Sequence, residues 1–200
     1  MIDTASTGQS LADHLRDKGV IRTKRVQEAF AATPRHLFVP HVSSSHAYSD
    51  RSVWVYSSNG AIATVASQPT AVADSLELLL IEPGHSVLEI GAGTGYNAAL
   101  LSYLVGPAGH VTTLDIDGEL ARSASDALAS VGISADRVEV VRADGSYGYP
   151  PAAPYDRIVL TVGTDDFSAA WWDQLRPGGR AVGHPATGQL RWNSCGCVGW

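Results

Sequence analysis

The residues whose types and spacing could do chemistry begin in one short segment, 87-VLEIGAGTGYNAALL-101. An apolar run is followed by three glycines at alternate positions, and such a turn lets the backbone approach a bound nucleotide closely. The spacing is G-x-G-x-G, whereas dinucleotide dehydrogenases use G-x-G-x-x-G and place a pyrophosphate on the next helix. Glu89 precedes the turn, and its carboxylate would repel a pyrophosphate but attract a cationic ligand.

Two further acidic residues follow the next two apolar segments and extend this pattern. Asp115 can accept hydrogen bonds from both hydroxyls of a ribose, a feature shared with enzymes that bind NAD. Asp144 can accept from an adenine amino group, and Gly145 beside it leaves room for the ring. Taken singly, each glycine could serve only a tight turn and each aspartate only a helix cap. As a set they favour S-adenosylmethionine (SAM), whose sulfonium is a cation, over NAD. The predicted cofactor-binding residues are Glu89, Gly91, Gly93, Asp115, Asp144 and Gly145.

Short β-branched segments alternate with helical ones over the second half of the chain, which predicts a parallel sheet covered by helices on both faces. Strands are predicted at residues 86–90, 110–116, 138–144, 155–163 and within 176–183. Helices are predicted at residues 95–105, 118–131 and 168–175. Ligands of such sheets bind at the carboxyl ends of the strands, which is where the acidic residues fall.

The first half of the chain shows a different pattern. Apolar spacing predicts a helical region over residues 10–33, and Pro34 ends it. Residues 41–66 are rich in serine and are predicted to form a long loop. Pro69 is then predicted to open a helix that continues over residues 70–80.

Length and composition suit one structural unit, since the chain has 200 residues and 44% of them are hydrophobic. We expect N-terminal helices and a substrate-side loop over residues 1–66. We expect a SAM-binding, Rossmann-like domain over residues 67–200.

Composition also disfavours several classes of function. The formal net charge is −6 and no cluster of Lys or Arg stands out, so a nucleic-acid partner is not expected. No apolar run approaches the roughly 18 residues that span a membrane, and the N-terminus lacks the apolar core of a signal peptide. Cys195 and Cys197 are the only cysteines and are too few for a zinc site, so no metal is expected. We interpret them as reduced thiols of a cytoplasmic protein.

Several segments resemble the protein-L-isoaspartate O-methyltransferases, a family of SAM-dependent enzymes, from about Val26 to Gly179. The segments are 34-PRHLFVP-40, 47-AYSD-50, 67-SQP-69, 88-LEIGAGTGYNAALL-101, 143-ADGSYGY-149, 154-PYDRI-158 and 174-QLRPGGR-180. The resemblance implies a three-layer α/β/α Rossmann-like methyltransferase fold with an N-terminal helical extension. It also implies that the SAM contacts fall on the six residues named above. Ser67 corresponds to the serine that contacts the substrate carboxylate in the family, so it is the catalytic candidate.

The resemblance implies methyl transfer from SAM to the free carboxylate of an isoaspartyl residue in a protein or peptide, with S-adenosylhomocysteine (SAH) as product. The ester then loses methanol as the backbone nitrogen closes a succinimide, and hydrolysis returns some normal aspartate. A carboxylate with a free pKa of about 4 is already ionised at neutral pH, so no general base is needed. Ser67 would position the carboxylate by a hydrogen bond. Alternatively, Ser67 could simply cap the helix that follows it.

The approach to Ser67 departs from the family, which usually has Gly-Gln-Thr-Ile-Ser where this chain has 63-ATVAS-67. Val65 thereby lacks a hydroxyl that is expected near the substrate. The segment from Asp50 to Ser67 is also longer than in the repair enzymes, and Trp54 is among its aromatic residues. These features resemble homologues found with ribosomally made peptides, which methylate a normal aspartate of a precursor peptide. Peptide tailoring is therefore an alternative function.

The end of the chain departs further from the family. After 178-GGRAVGHPA-186 the family continues through more strands, whereas 189-QLRWNSCGCVGW-200 leaves room for at most one short strand, QLRW. This shortened C-terminal end predicts an open sheet edge and lower stability than in a complete family member. It also leaves open a third hypothesis, a catalytically impaired module that binds SAM or peptide. An RNA or small-molecule methyltransferase is less favoured, because of the acidic charge balance and the family-specific motifs.

Overall fold

The computed structural model of the chain describes residues 7–56, 62–164, 166–183, 190–193 and 198–199. The interpretation of Cys195 and Cys197 as reduced thiols concerns residues outside this described part. Within these ranges, no helix is long and apolar enough to cross a membrane. In the same ranges, no group of three or more His, Cys, Asp and Glu side chains is arranged to hold a metal ion.

Short helices and a hairpin make up the N-terminal part of the chain. In chain order they are α1 (Gly8–Asp17), α2 (Lys24–Ala32), a single 3₁₀ turn (Arg35–Leu37), α3 (Ser44–Ala47), β1 (Val53–Tyr56), β2 (Ile62–Ala66) and α4 (Pro69–Leu79). The prediction of one helical region over residues 10–33 was wrong at its centre. The chain leaves α1 after Asp17 and starts a separate helix, α2, at Lys24. The side chain of Thr23 caps α2 by accepting a hydrogen bond from the backbone nitrogen of Val26. The helix predicted from Pro69 is confirmed.

The long loop predicted over residues 41–66 was also wrong, because β1 and β2 pair there as an antiparallel hairpin. A small apolar cluster lies under this hairpin, and its buried members are Val39, Ala47, Val53 and Ala66. These side chains are small and widely spaced along a serine-rich sequence, so their pattern is too weak to predict strands. Tertiary packing therefore organises a segment whose local sequence indicates a loop.

Among the described residues, seven strands form the central sheet, in the order β5-β4-β3-β6-β7-β8-β9. Their bounds are β3 (Ser86–Ile90), β4 (His110–Asp115), β5 (Val138–Arg142), β6 (Tyr155–Leu160), β7 (Leu175–Gly183), β8 (Leu190–Asn193) and β9 (Val198–Gly199). All pairings from β5 to β7 are parallel, which confirms the predicted parallel sheet. The expectation of at most one short strand after residue 186 was wrong, because β8 and β9 both add to the sheet by antiparallel pairing. The unpaired backbone groups of a sheet edge favour such pairing whatever the side-chain pattern.

Helices cover both faces of this sheet. They are α5 (Tyr96–Val105), α6 (Gly118–Ser130) and α7 (Ala169–Gln174), which follow β3, β4 and β6. Successive side chains of β3 point to opposite faces. Val87 packs into a core shared with α1, α2, α4 and α5, whereas Leu88 packs into a second core with Trp171 of α7. The predicted three-layer α/β/α architecture is thereby confirmed, and the N-terminal helices contribute to one of its two cores.

Candidate active site

The glycine-rich loop joins β3 to α5 at the carboxyl edge of the sheet. The backbone nitrogens of Gly91 and Ala92 each donate to the carbonyl of Leu114 at 2.8 Å, which fixes the loop against β4. Gly91 has a φ of +101°, and a Cβ built there would lie 2.5 Å from Cγ1 of Val162. Backbone conformation and packing therefore both require glycine at this position.

Glu89 lies in β3, two residues before the loop, and is completely buried. Its Oε1 accepts a hydrogen bond from Nδ2 of Asn97 at 2.7 Å, and its Oε2 accepts one from Oγ1 of Thr113 at 2.6 Å. Burial raises the pKa of Glu89 to about 7, because these two bonds only partly offset the loss of hydration, and the charge of Asp115 opposes ionisation further. Since both oxygens are already bonded, a cationic ligand would respond chiefly to the charge of this carboxylate.

Asp115 ends β4 and holds the glycine loop through its carboxylate. Its Oδ2 accepts from the backbone nitrogen of Gly93 at 2.9 Å, and its Oδ1 accepts from that of Asp117 at 3.0 Å. Gly93 has a φ of +53°, in the left-handed region. Each carboxylate oxygen can accept more than one hydrogen bond. The predicted contact with two ribose hydroxyls is therefore compatible with the bonds that Asp115 already makes.

Asp144 and Gly145 follow β5 at the same edge of the sheet. Oδ1 of the exposed Asp144 accepts from the backbone nitrogen of Ser146 at 2.9 Å and from its Oγ at 2.7 Å, which lowers the pKa of Asp144. A Cβ built on Gly145 would lie 2.4 Å from Cγ2 of Ile90. The carbonyl of Gly145 accepts from Nε1 of Trp171 at 2.7 Å. Packing against β3 thus already requires glycine here, independently of a bound ring.

Two adjoining cavities bring the predicted site residues together. The inner cavity measures about 80 Å³ and the outer one about 300 Å³. Gly91, Asp115 and Val162 line both of them. All seven predicted site residues line one cavity or the other: Ser67, Glu89, Gly91, Gly93, Asp115, Asp144 and Gly145. The structure therefore assembles the set, while the role of each residue stays a prediction.

Ser67 lies between β2 and α4 and lines the inner cavity. The interpretation of Ser67 as the cap of α4 was wrong, because the N-cap is Gln68 and no side chain of the N-cap residue bonds the helix. Asp50, which lies 20 residues before Thr70 in the sequence, instead bonds the first turn of α4. Its Oδ1 accepts from the backbone nitrogen of Thr70 at 2.9 Å, and its Oδ2 accepts from Oγ1 of Thr70 at 2.7 Å. The hydroxyl of Ser67 is thus not used to start the helix.

Asp50 belongs to the AYSD segment, for which the resemblance to the family predicted no role. Lys18 completes its surroundings, with Nζ 2.6 Å from Oδ2 of Asp50. Partial burial opposes ionisation of Asp50, but the bonds from Lys18 and Thr70 outweigh it and lower its pKa. This small network anchors the start of α4 and therefore the segment that carries Ser67.

Arg35 and Tyr96 also line the inner cavity beside Ser67, although neither was predicted as a site residue. Nη2 of Arg35 donates to the carbonyl of Ser67 at 3.0 Å. The only signal in the sequence is a single arginine between Pro34 and the apolar residues of PRHLFVP. Nothing in that spacing indicates that the side chain turns inward.

The residues that depart from the family pattern lie at the same cavity. Thr64 and Val65 line its wall, and both belong to β2. Oγ1 of Thr64 would lie 3.5 Å from a Cβ built on Gly93, so this hydroxyl faces the glycine loop at contact distance. The hairpin therefore borders the inner cavity next to Ser67.

Comparison with known proteins identifies the relatives of this chain. Residues 6–187 match the family model described as protein-L-isoaspartate(D-aspartate) O-methyltransferase. The protein-L-isoaspartate O-methyltransferase of Methanopyrus kandleri is 44% identical over 175 residues, which cover 87% of this chain and 74% of that relative. The enzyme of the same name from Ignicoccus hospitalis is 41% identical over 174 residues, covering 87% and 79%.

Two solved structures are also similar to this chain in fold. One protein-L-isoaspartate O-methyltransferase superposes with a TM-score of 0.84 at 32% identity, and the match covers 92% of this chain but 58% of that one. A Plasmodium falciparum structure, described as a protein-L-isoaspartate O-methyltransferase in complex with SAH, superposes with a TM-score of 0.77. At 16% identity that second similarity concerns the fold alone.

Proposed function

This chain belongs to the protein-L-isoaspartate(D-aspartate) O-methyltransferase family, and we propose that it transfers a methyl group from SAM to the free carboxylate of L-isoaspartyl residues in proteins or peptides. The observation that carries this proposal is the position of Ser67. Its segment is anchored by other residues, and it lines the same cavity as the buried Glu89 and the glycine loop.

The residues around the two cavities fit SAM. A buried carboxylate with a raised pKa favours a cation, and Glu89 is such a group next to the glycine loop. The backbone at Gly91 leaves no room for a side chain. Asp115 would hold the ribose, whereas Asp144 and Gly145 would border the adenine.

The reaction requires placement more than acid–base chemistry. SAM supplies a methyl group made electrophilic by its positive sulfur. The substrate carboxylate is ionised at neutral pH and is itself the nucleophile, so no residue has to remove a proton. Ser67 would donate a hydrogen bond to one carboxylate oxygen and so direct the other towards the methyl group. A neutral hydroxyl orients the carboxylate without withdrawing as much of its electron density as a cation would.

The alternative, esterification of a normal aspartate in a precursor peptide, is not favoured. The relatives that cover most of this chain carry the name of the isoaspartyl enzyme. The changes at Thr64 and Val65 border the cavity, but they leave Ser67 and the predicted SAM residues in place. A catalytically impaired binding module is likewise not favoured by a site in which the seven predicted residues lie together.

The test is a methyl-transfer assay with labelled SAM on two peptides that differ only in having isoaspartate or aspartate at one position. Label should appear as base-labile methyl ester on the isoaspartyl peptide alone. Label on the aspartyl peptide instead would establish the tailoring reaction. Silence on both peptides, with SAH bound in calorimetry, would contradict the proposed activity and support a binding module.

A further inference from the structure

The side chain of Arg35 is buried, although burying its charge does not help to stabilise the fold. Only 1% of the residue is exposed, although arginine stays charged in proteins and is seldom fully buried unless it is paired. Burial lowers its pKa from the ordinary value, while the neighbouring Tyr96 and the more distant charge of Asp50 partly raise it. Among the described residues no carboxylate lies within ion-pair distance of Arg35, and its Nε has no hydrogen-bond partner. A buried charge with so few partners costs folding free energy.

The contacts of Arg35 join the two sides of the site. Nη2 donates to the carbonyl of Ser67, which is 32 residues away in the sequence. The Cζ atom lies 4.7 Å from the centre of the Tyr96 ring, a distance at which a cation is attracted to an aromatic face. Tyr96 is the first residue of α5, directly after the glycine loop, and its ring is held by edge contacts with Phe30 and Phe38. One side chain thus touches both the serine segment and the helix that follows the cofactor loop.

These two contacts suit a guanidinium and not an ammonium group. A planar guanidinium can lie on a ring and donate from its edge at the same time. A lysine at this position would keep the charge but concentrate its donors on one nitrogen, so it could not hold both contacts in one geometry.

From this geometry we propose that Arg35 is a positioning residue for methyl transfer, which fixes Ser67 relative to the glycine loop. The inference rests on the proposed function. In-line transfer needs the carboxylate oxygen, the methyl group and the sulfur in a fixed arrangement, and a misplacement of about 1 Å can cost roughly a hundredfold in rate. Arg35 acts through Ser67, and its own contacts are with the Ser67 carbonyl and the Tyr96 ring.

A double-mutant cycle tests this inference with the full chain and an isoaspartyl peptide. Arg35→Lys is expected to lower kcat by roughly 10- to 100-fold and to leave the Kd for SAH within about threefold of wild type. In a Ser67→Ala background the same substitution is expected to lower kcat by less than about threefold, because the hydroxyl it positions is already gone.

Arg25→Lys is the matched control. Nη1 of Arg25 donates to the carbonyl of Ile81 at 2.8 Å, and its Nη2 donates to that of Leu104, but Arg25 lines neither the inner nor the outer cavity. We expect Arg25→Lys to lower the melting temperature and to leave kcat unchanged. If Arg35→Lys melts below the assay temperature, Tyr96→Leu removes the ring contact instead. It should give a smaller loss of kcat that again vanishes without the Ser67 hydroxyl.

The possible results separate the inference from the function on which it rests. Losses that multiply in the double variant, an unchanged kcat for Arg35→Lys, or an equal loss of SAH affinity would each overturn the inference while the wild type stays active. A wild-type chain that methylates neither peptide would overturn the proposed function and this inference with it.

Discussion

The site has two sides that are built differently. The cofactor side consists of the glycine loop with Glu89, Asp115, Asp144 and Gly145, and the substrate side consists of Ser67 with Arg35 and Asp50. On the cofactor side Asp115 ends β4 and Asp144 follows β5, and each accepts from a backbone nitrogen two residues further on. The longer-range bonds of this side, such as that from Thr113 to Glu89, join the neighbouring strands β3 and β4. On the substrate side the contacts join segments that are far apart in the sequence and that lie outside the central sheet. Arg35 and Ser67 are 32 residues apart, and the bonds of Asp50 cross 20 residues to reach the start of α4.

This difference indicates which property each side controls. The topology of a parallel sheet brings the strand ends together, so damage to one acid should weaken cofactor binding and leave the rest of the site intact. The substrate side has no strand of the central sheet to hold it, so its geometry depends on individual side chains. Damage there should lower turnover more than affinity.

The largest effect is expected for Ser67→Ala. Loss of the hydroxyl should lower kcat on an isoaspartyl peptide by roughly a hundredfold or more, because the nucleophilic carboxylate is no longer oriented. The Kd for SAH, measured by calorimetry, should stay within about threefold of wild type. Ser67→Thr, which retains a hydroxyl, should recover part of the rate. An unchanged kcat for Ser67→Ala would remove this residue from the mechanism and erase the proposed contrast between the two sides.

A smaller effect of the opposite kind is expected for Asp115→Asn. Replacing the charged acceptor should weaken SAH binding by about 10- to 50-fold, since hydrogen bonds to an ionised acceptor are the stronger ones. The kcat at saturating SAM should change little. The loss should also shrink for an SAH analogue without the ribose hydroxyls. An equal loss for that analogue would show that Asp115 acts only by holding the backbone of Gly93.

Glu89→Gln should give the smallest change in binding, and its effect should depend on pH. In the folded chain the pKa of Glu89 is raised from 4.5 to about 7, so the folded state holds a proton that the unfolded chain releases between these values. The contribution of Glu89 to stability is therefore fully present below pH 4.5 and is lost as the pH rises through about 7. The loss is on the order of 3 kcal/mol.

This loss of stability with rising pH predicts how the melting temperatures of wild type and Glu89→Gln differ. Without ligand, the variant should melt about 6–12 °C higher at pH 8, and the difference should shrink as the pH falls and disappear below about pH 4. Its affinity should fall more for SAM than for SAH, because only SAM carries the positive sulfur. Equal losses for the two ligands would show that the charge of Glu89 does not act on the sulfonium.

Much of the cofactor side was predictable from local sequence. The strand predicted at 86–90 has those same bounds in the structure, and the helix predicted at 95–105 begins one residue later. Strand ends locate Asp115 and Asp144, since the topology of a parallel sheet leaves them few other places. The packing requirement for glycine at position 145 was not predictable. A side chain there would clash with Ile90 only once β3 and β5 are brought into the same sheet.

By itself the sequence determined the alternation of strands and helices, the glycine loop and the acids at the strand ends, because these depend on short-range patterns and on the rules of parallel sheets. Tertiary structure alone decided that residues 41–66 contain a hairpin, that Asp50 caps a helix 20 residues away, and that Arg35 lies buried between Ser67 and Tyr96. The physical reason is the same in each case. A contact between distant residues leaves no periodic mark in the sequence, so only the packed chain shows which polar group meets which partner.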